Sequence, residues 1–225
     1  MFKQVKKFIV DYSDAKVFYD PSFQRRVVWD NANVSEFVRS LTLGRAAYTN
    51  IVLVNVEKCL ELAINNVDDM SSAYFLNLKE KGYKYLSLDG QNRSKAIINF
   101  MNNKITISTI IKDIKGETDE VNNKYFKDLT VEQQYAIQLA NVSVTIADEV
   151  SVSELSDVFR TLNSGKPLNS QELRNSFRTP IASFVRKLSI KHKCALERVV
   201  RENDIKRMGD DELVAKMLMV LLSNK

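Results

Sequence analysis

The chain has 225 residues, 44% of them hydrophobic, with six glycines and three prolines; that is enough for one large compact domain or a domain with a small extension, and too apolar for a disordered chain. No window approaches about 20 unbroken apolar residues, so no membrane span is expected, and the start, MFKQVKKFIVDYSDAK, has neither the apolar core nor the small-residue site of a signal peptide. The net charge of +5 is uneven, because residues 178–207 hold nine Lys and Arg against three Asp and Glu, a net of +6 that leaves about −1 elsewhere; a basic third of this kind favours a polyanion such as nucleic acid, the plainer alternative being a solvated helical face.

Residues 1 to about 28 carry Phe8-Ile9-Val10, Val17-Phe18-Tyr19 and Val27-Val28-Trp29, three short apolar runs that predict strand or extended structure. Val34, Phe37, Val38 and Leu41 recur at helical spacing, with Asn33 and Glu36 as a capping box and Gly44 as a stop. The β-branched NIVLVNV, residues 50–56, predicts a buried strand. Cys59 follows it, and lies too far from Cys194 for metal spacing; both read as reduced thiols of an intracellular, cytoplasmic protein. Residues 57–81 predict two helical pieces broken near Asn65-Asn66 and closed by Gly82. Tyr83 to Leu88 predicts a strand, and Arg93 to Asn102 a helix burying Ala96, Ile97, Phe100 and Met101.

ITISTII, residues 105–111, predicts a strand, and the polar stretch from Lys112 to Lys124 a loop. Thr130 and Gln133 cap a helix running to about Ala140, and VSVTI, residues 142–146, alternates as a strand. Ser151 and Glu154 cap a further helix with Leu155, Val158, Phe159 and Leu162 inward. A turn follows at 163–172, where Asn169 and Glu172 cap the next helix. From Pro180 to Leu222 the pattern is helical. Strands alternate with helices early and helices take over late, which predicts an α+β core followed by a helical C-terminal part.

The junction DGQNRS, residues 89–94, carries chemistry. A helix N-terminus leaves its first amides unpaired and attracts anions. Gly90 admits a close approach to the backbone, Arg93 offers a planar fork for phosphate oxygens, and Ser94 adds a hydroxyl. Gln91 and Asn92 suit a base edge, a ribose or a water, and Asp89 a sugar hydroxyl, a metal or a nucleophilic water. The helix end supplies about 0.3–1 kcal/mol and a charge-assisted hydrogen bond about 1.5–3. Micromolar binding needs roughly 8, so the junction needs a second cationic arm. Without a ligand, the same residues read as an Asp N-cap beside a solvated arginine.

Two further stretches supply candidates. PSFQRRVVWD, residues 21–30, sets Gln24, Arg25 and Arg26 inside an apolar run, so they point toward water or a ligand unless the run is an edge strand with snorkelling arginines. FRTLNSGKPLNSQELRNS, residues 159–176, places Asn163, Ser164, Gly165 and Lys166 in a turn at a helix end, an arrangement that a glycine C-cap followed by proline also explains.

FQRRVVWD, DGQNRSKAI and FRTLNSGKPLNSQELRNS, in this order, resemble the DGQQR-motif family of restriction-associated proteins, of the GmrS and phosphorothioate-sensing SspE kind; the resemblance covers roughly residues 15–178. It implies a core like the ParB/sulfiredoxin fold over residues 1–178, a mixed sheet with helices, followed by a helical basic extension over 179–225. It also implies binding, and in many members hydrolysis, of a nucleoside triphosphate with Mg²⁺, coupled to DNA restriction or defence alongside DNA and a nuclease partner. Carried over by position, Asp89, Gln91 and Arg93 take catalytic roles, and Gly90, Asn92, Ser94, Gln24, Arg25, Asn163 and Lys166 bind the nucleotide. Arg26 stands where the family has proline, and Asn92 is one methylene shorter than the family glutamine. The single histidine, His192, is too few for the HNH nuclease that often follows this domain, and no protein metal site is expected. The competing reading is a non-enzymatic DNA- or partner-binding module using the basic helices.

Overall fold

The computed structural model describes residues 1–12, 16–21, 29–162, 171, 174–175, 179–205 and 207–223. The protein is a mixed α+β fold, with a mixed sheet, covering helices and a helical C-terminal part. It divides into two compact units, residues 1–19 with 29–151 and residues 20–28 with 152–225.

In the first unit the elements run β1 (Phe2–Gln4), α1 (Val5–Asp11), β2 (Val17–Phe18), α2 (Asn31–Thr42), β3 (Asn50–Asn55), α3 (Val56–Asn65), α4 (Asp69–Glu80), β4 (Tyr85–Asp89), α5 (Gln91–Met101), β5 (Ile107–Lys112), β6 (Thr118–Lys124), α6 (Val131–Leu139) and β7 (Asn141–Ala147). Five strands form one sheet in the order β1-β7-β3-β4-β2. The central β3 runs parallel to β7 and antiparallel to β4, while β2 runs parallel to β4. β5 and β6 form a separate antiparallel hairpin.

The period of two along β3 sends Ile51 and Leu53 into a core shared with α1, α2, α5, α6 and the hairpin. Val52 and Val54 turn to the opposite face and are buried there too. A strand apolar on both faces therefore sits at the middle of the sheet, as its uninterrupted NIVLVN predicts.

Three local expectations change. Phe8-Ile9-Val10 is helical, because Val5, Phe8 and Tyr12 lie one turn apart on a single buried stripe while Val10 faces solvent. The first cap of α2 is Asp30, whose carboxylate accepts from the Asn33 amide at 2.9 Å while Asn33 returns a bond to the Asp30 amide; Glu36 pairs instead with Arg39. The polar 112–124 stretch holds strand β6, which buries only Val121. Its order comes from the ladder to β5 and from a turn in which Asp113 accepts from the amides of Lys115 and Glu117, so its own composition carries little strand signal.

The second unit holds α7 (Val152–Leu162), α8 (Pro180–Lys191), α9 (Lys193–Leu196), α10 (Glu202–Ile205) and α11 (Gly209–Ser223). Val185, Leu196 and Val214 form a small core with Leu188, Leu213, Ala215 and Leu218. Beside it lies a buried polar chain. Gln171 Nε2 donates to Asn175 Oδ1 at 2.9 Å, and Asn175 Nδ2 donates to Asp211 Oδ2 at 2.9 Å. Arg186 is ion-paired to the same carboxylate at 3.4 Å. Gln171 and Asn175 come from the ELRN-like stretch, so these two residues hold the start of α11. Among the described residues no helix is long and apolar enough to cross a membrane.

Candidate functional site at the end of strand β4

Strand β4 ends at Asp89, and α5 begins at Gln91. A single residue therefore turns the chain from extended to helical. Gly90 does this with φ +89°, in the left-handed region that side chains disfavour. A Cβ at this position would lie 2.9 Å from Ile51 Cγ1 and 3.0 Å from Ile51 Cα. Glycine is thus required twice, by conformation and by the contact of the junction with β3. The ladder shifts here as well: Leu53 pairs with Ser87 but Val52 with Asp89, so Leu88 is an extra residue on β4. A bulge of this kind bends a strand and re-aims the side chain after it.

The N-cap is glycine, which has no side chain with which to cap α5. The Ser94 amide bonds back to the Gly90 carbonyl at 2.8 Å, closing the first turn. The turn before it, residues 91–93, carries the amides and the positive end of an eleven-residue helix. Asp89 is therefore the last strand residue and not the cap. Its Oδ2 accepts from Arg93 Nη2 at 2.7 Å, and the same Nη2 donates to the Asn50 carbonyl at 2.8 Å. Arg93 Nε is buried and has no hydrogen-bond partner among the described residues. One nitrogen of the guanidinium, Nη2, thus clasps β3 to β4 where the two strands meet α5.

Asn50 is itself held. Its side-chain Nδ2 donates to Thr145 Oγ1 at 2.9 Å, and its side-chain Oδ1 accepts from Ser143 Oγ at 3.1 Å. The parallel register sets Asn50 beside Ser143, so three adjacent strands feed one polar cluster. A cation also stands near. β2 is parallel to β4, so Tyr19 leaves the sheet at the end where Asp89 does, and Lys95 Nζ lies 4.7 Å from the centre of its ring.

The structure brings together Asp89, Gly90, Gln91, Asn92, Arg93 and Ser94. Gln91, Asn92 and Arg93 are partly exposed, and Ser94 is buried under the first turn. Gln24 and Arg25, expected as the second arm, and Asn163 and Lys166, expected in the asparagine-serine-glycine turn, lie outside the described residues. Sequence reasoning missed Asn50, Ser143 and Thr145. The polar positions of VSVTI alternate with valines and mark a polar face, but nothing local pairs that face with Asn50. Lys95 and Tyr19 were also missed, and only the parallel pairing of β2 with β4 joins them. Among the described residues no group of three His, Cys, Asp or Glu is placed to hold a metal ion.

The family model for the GmrSD restriction endonuclease N-terminal domain matches residues 5–179, most of the chain. No curated protein and no solved structure matches.

Proposed function

The chain belongs to the family of GmrSD restriction endonuclease N-terminal domains, a family of DNA restriction, and from that premise we propose that the β4–α5 junction binds the phosphates of a nucleoside triphosphate. The observation that carries this reading is the first turn of α5, opened by Gly90 as an N-cap without a side chain, with Arg93 anchored to β3 and Lys95 one turn further along. The amides of residues 91–93 donate to phosphate oxygens, since helix N-termini stabilise anions. Arg93 keeps those amides in place by tying α5 to β3, and its net charge with Asp89 is close to zero. Lys95 has no ion pair among the described residues and supplies the positive charge. Asn92 and Gln91 offer amide groups to the sugar, the base or a water.

Magnesium fits this site in one way only. Asp89 is the single carboxylate of the junction, and Mg²⁺ commonly uses one or two carboxylates plus substrate phosphates. Bound with the nucleotide, it would neutralise phosphate charge; Asp89 would hold it or a water in reach, and Gln91 would orient that water. Hydrolysis coupled to restriction is the activity proposed.

The test is a titration with fluorescent ATP and GTP analogues on wild type and Gln91→Glu. A carboxylate in the first helical turn stabilises a helix by about 0.3–1 kcal/mol, so this variant is expected to melt no lower than wild type. Its charge opposes phosphate, and affinity is expected to fall at least tenfold, about 1.4 kcal/mol. Unchanged affinity removes the phosphates from this turn.

A second reading has its own support. Lys187, Lys191, Lys193, Arg198, Arg201 and Arg207 are all exposed, which suits a non-enzymatic contact with DNA or with an acidic nuclease partner. DNA affinity is then expected to drop steeply with salt, with a logarithmic slope near −0.9 per phosphate neutralised. A binding titration at two salt concentrations, with and without nucleotide, measures that slope. DNA bound irrespective of nucleotide, with no nucleotide consumed, favours this reading over the first.

A further inference from the structure

The opposite end of β3 and β4 carries a recess of about 320 Å³ lined by Asn55, Glu57, Lys79, Tyr83, Lys84 and Tyr85 among others. It lies roughly 13 Å along β4 from Asp89, at about 3.3 Å per residue. Its volume falls at the small end of the range for ligand pockets. Its walls are the first turn of α3, the end of α4 with the short 81–84 link that follows it, and the start of β4. The first turn of α3 is capped by Asn55, whose side chain accepts from the Lys58 amide. The last turn of α4 is closed by Gly82 at φ +84° and by a bond from the Tyr83 amide to the Leu78 carbonyl. The chain then passes straight into β4.

The two tyrosines are braced by other rings. Tyr83 lies 5.1 Å from Phe18, and Tyr85 lies edge-on to Tyr12 at 5.0 Å. Rigid aromatic surface of this kind binds flat rings with little ordering cost. The charged groups are matched unequally. Lys79 is ion-paired to Glu57 at 2.9 Å. Lys84 has no ion pair among the described residues, while its charge helps to hold the Glu57 carboxyl below its ordinary range, after the hydrogen bond and charge of Lys79. The recess thus offers one spare cation, a second cation that can exchange a carboxylate for a phosphate, an acceptor in Glu57, and the ring of Tyr83.

We propose that this recess binds one nucleoside monophosphate unit, its base against Tyr83, its phosphate on Lys84 and Lys79, and an exocyclic amine of the base on Glu57. The unit can come from a free mononucleotide or from a nucleic-acid strand, since both present the same phosphate and ring. The site is separate from the β4–α5 junction and does not depend on the triphosphate reading.

The test uses the full chain and two probes, deoxyadenosine monophosphate and a short fluorescein-labelled single strand of mixed sequence, with wild type, Lys84→Glu and Lys79→Gln. Lys84 is exposed, so charge reversal there is compatible with folding; the melting curve of each variant checks this. Lys84→Glu is expected to weaken one or both probes at least tenfold, and Lys79→Gln several-fold. Binding of triphosphate analogues at the junction is expected to stay unchanged. Loss confined to the strand identifies a nucleic-acid chain as the source, and loss of both probes identifies the single nucleotide unit. Wild-type affinity for both probes in Lys84→Glu, or no binding of either probe by wild type, overturns the proposal. Weakening of the triphosphate analogues by the same variant also overturns it, because the recess would then not be a separate site.

Discussion

Alanine at position 90 is expected to lower the melting temperature by roughly 10 °C. Two costs add. The left-handed backbone at φ +89° penalises any side chain by about 1–2 kcal/mol. The new methyl group would also meet Ile51 at 2.9–3.0 Å, including its Cα, and overpacking of this kind costs about 1–3 kcal/mol. The sum is about 2–5 kcal/mol, and each kcal/mol shifts a domain of this size by roughly 2–4 °C. Gly44 provides the control. It too has positive φ, at +70°, but a Cβ there meets nothing within 4 Å, so Gly44→Ala is expected to show the conformational cost alone. Thermal melts of both variants measure the difference. A Gly90→Ala protein that melts no lower than Gly44→Ala removes the contact with Ile51 from the account.

Arg93→Ala is expected to act twice, on stability and on nucleotide affinity. The guanidinium bonds Asp89 and the Asn50 carbonyl at 2.7 and 2.8 Å. Charged hydrogen bonds contribute about 1.5–3 kcal/mol each when removal leaves a partner unpaired. The two side chains are 22% and 39% exposed, so water recovers part of that loss. A net cost of about 2 kcal/mol, or roughly 4–8 °C, is expected from the melting curve. If α5 presents phosphate-binding amides, their displacement also weakens triphosphate analogues at least tenfold. Arg93→Lys separates the effects. A lysine can meet Asp89 but not both acceptors in a fixed plane, so charge is kept and orientation lost. Affinity that follows charge, with Lys equal to Arg, would show direct phosphate contact. Affinity that falls with Lys as with Ala shows that Arg93 is a positioning residue. An Arg93→Ala protein with wild-type melting and wild-type affinity contradicts both roles.

These two residues explain each other. Gly90 lets the junction lie against Ile51, and Arg93 reaches the carbonyl of the preceding residue, Asn50. The start of β3 is therefore the platform on which the first turn of α5 rests. Ser143 and Thr145 on β7 brace that platform from the other side. A ligand on the first turn would sit above three adjacent strands, which favours a geometry held without loop ordering.

The sequence by itself determined the features whose causes lie within one or two turns. Thr130 with Gln133 capped α6 as expected, Asn65-Asn66 divided α3 from α4, and the NIVLVN run became the central strand. DGQNRS was legible as a strand-to-helix junction because a glycine between an alternating run and a 3.6-residue period has little other meaning. Tertiary structure decided what those residues do there. Arg93 meets a carbonyl 43 positions away, Asn50 meets Thr145 across 95, and Gly90 owes its identity partly to Ile51. The same holds for β6, ordered by its partner strand, and for α1, whose apolar triplet reads equally as strand until the Val5-Phe8-Tyr12 stripe finds its core. Propensity and capping act between near neighbours, whereas the sheet order that joins β3, β4 and β7 is a choice among distant pairings that no short window contains.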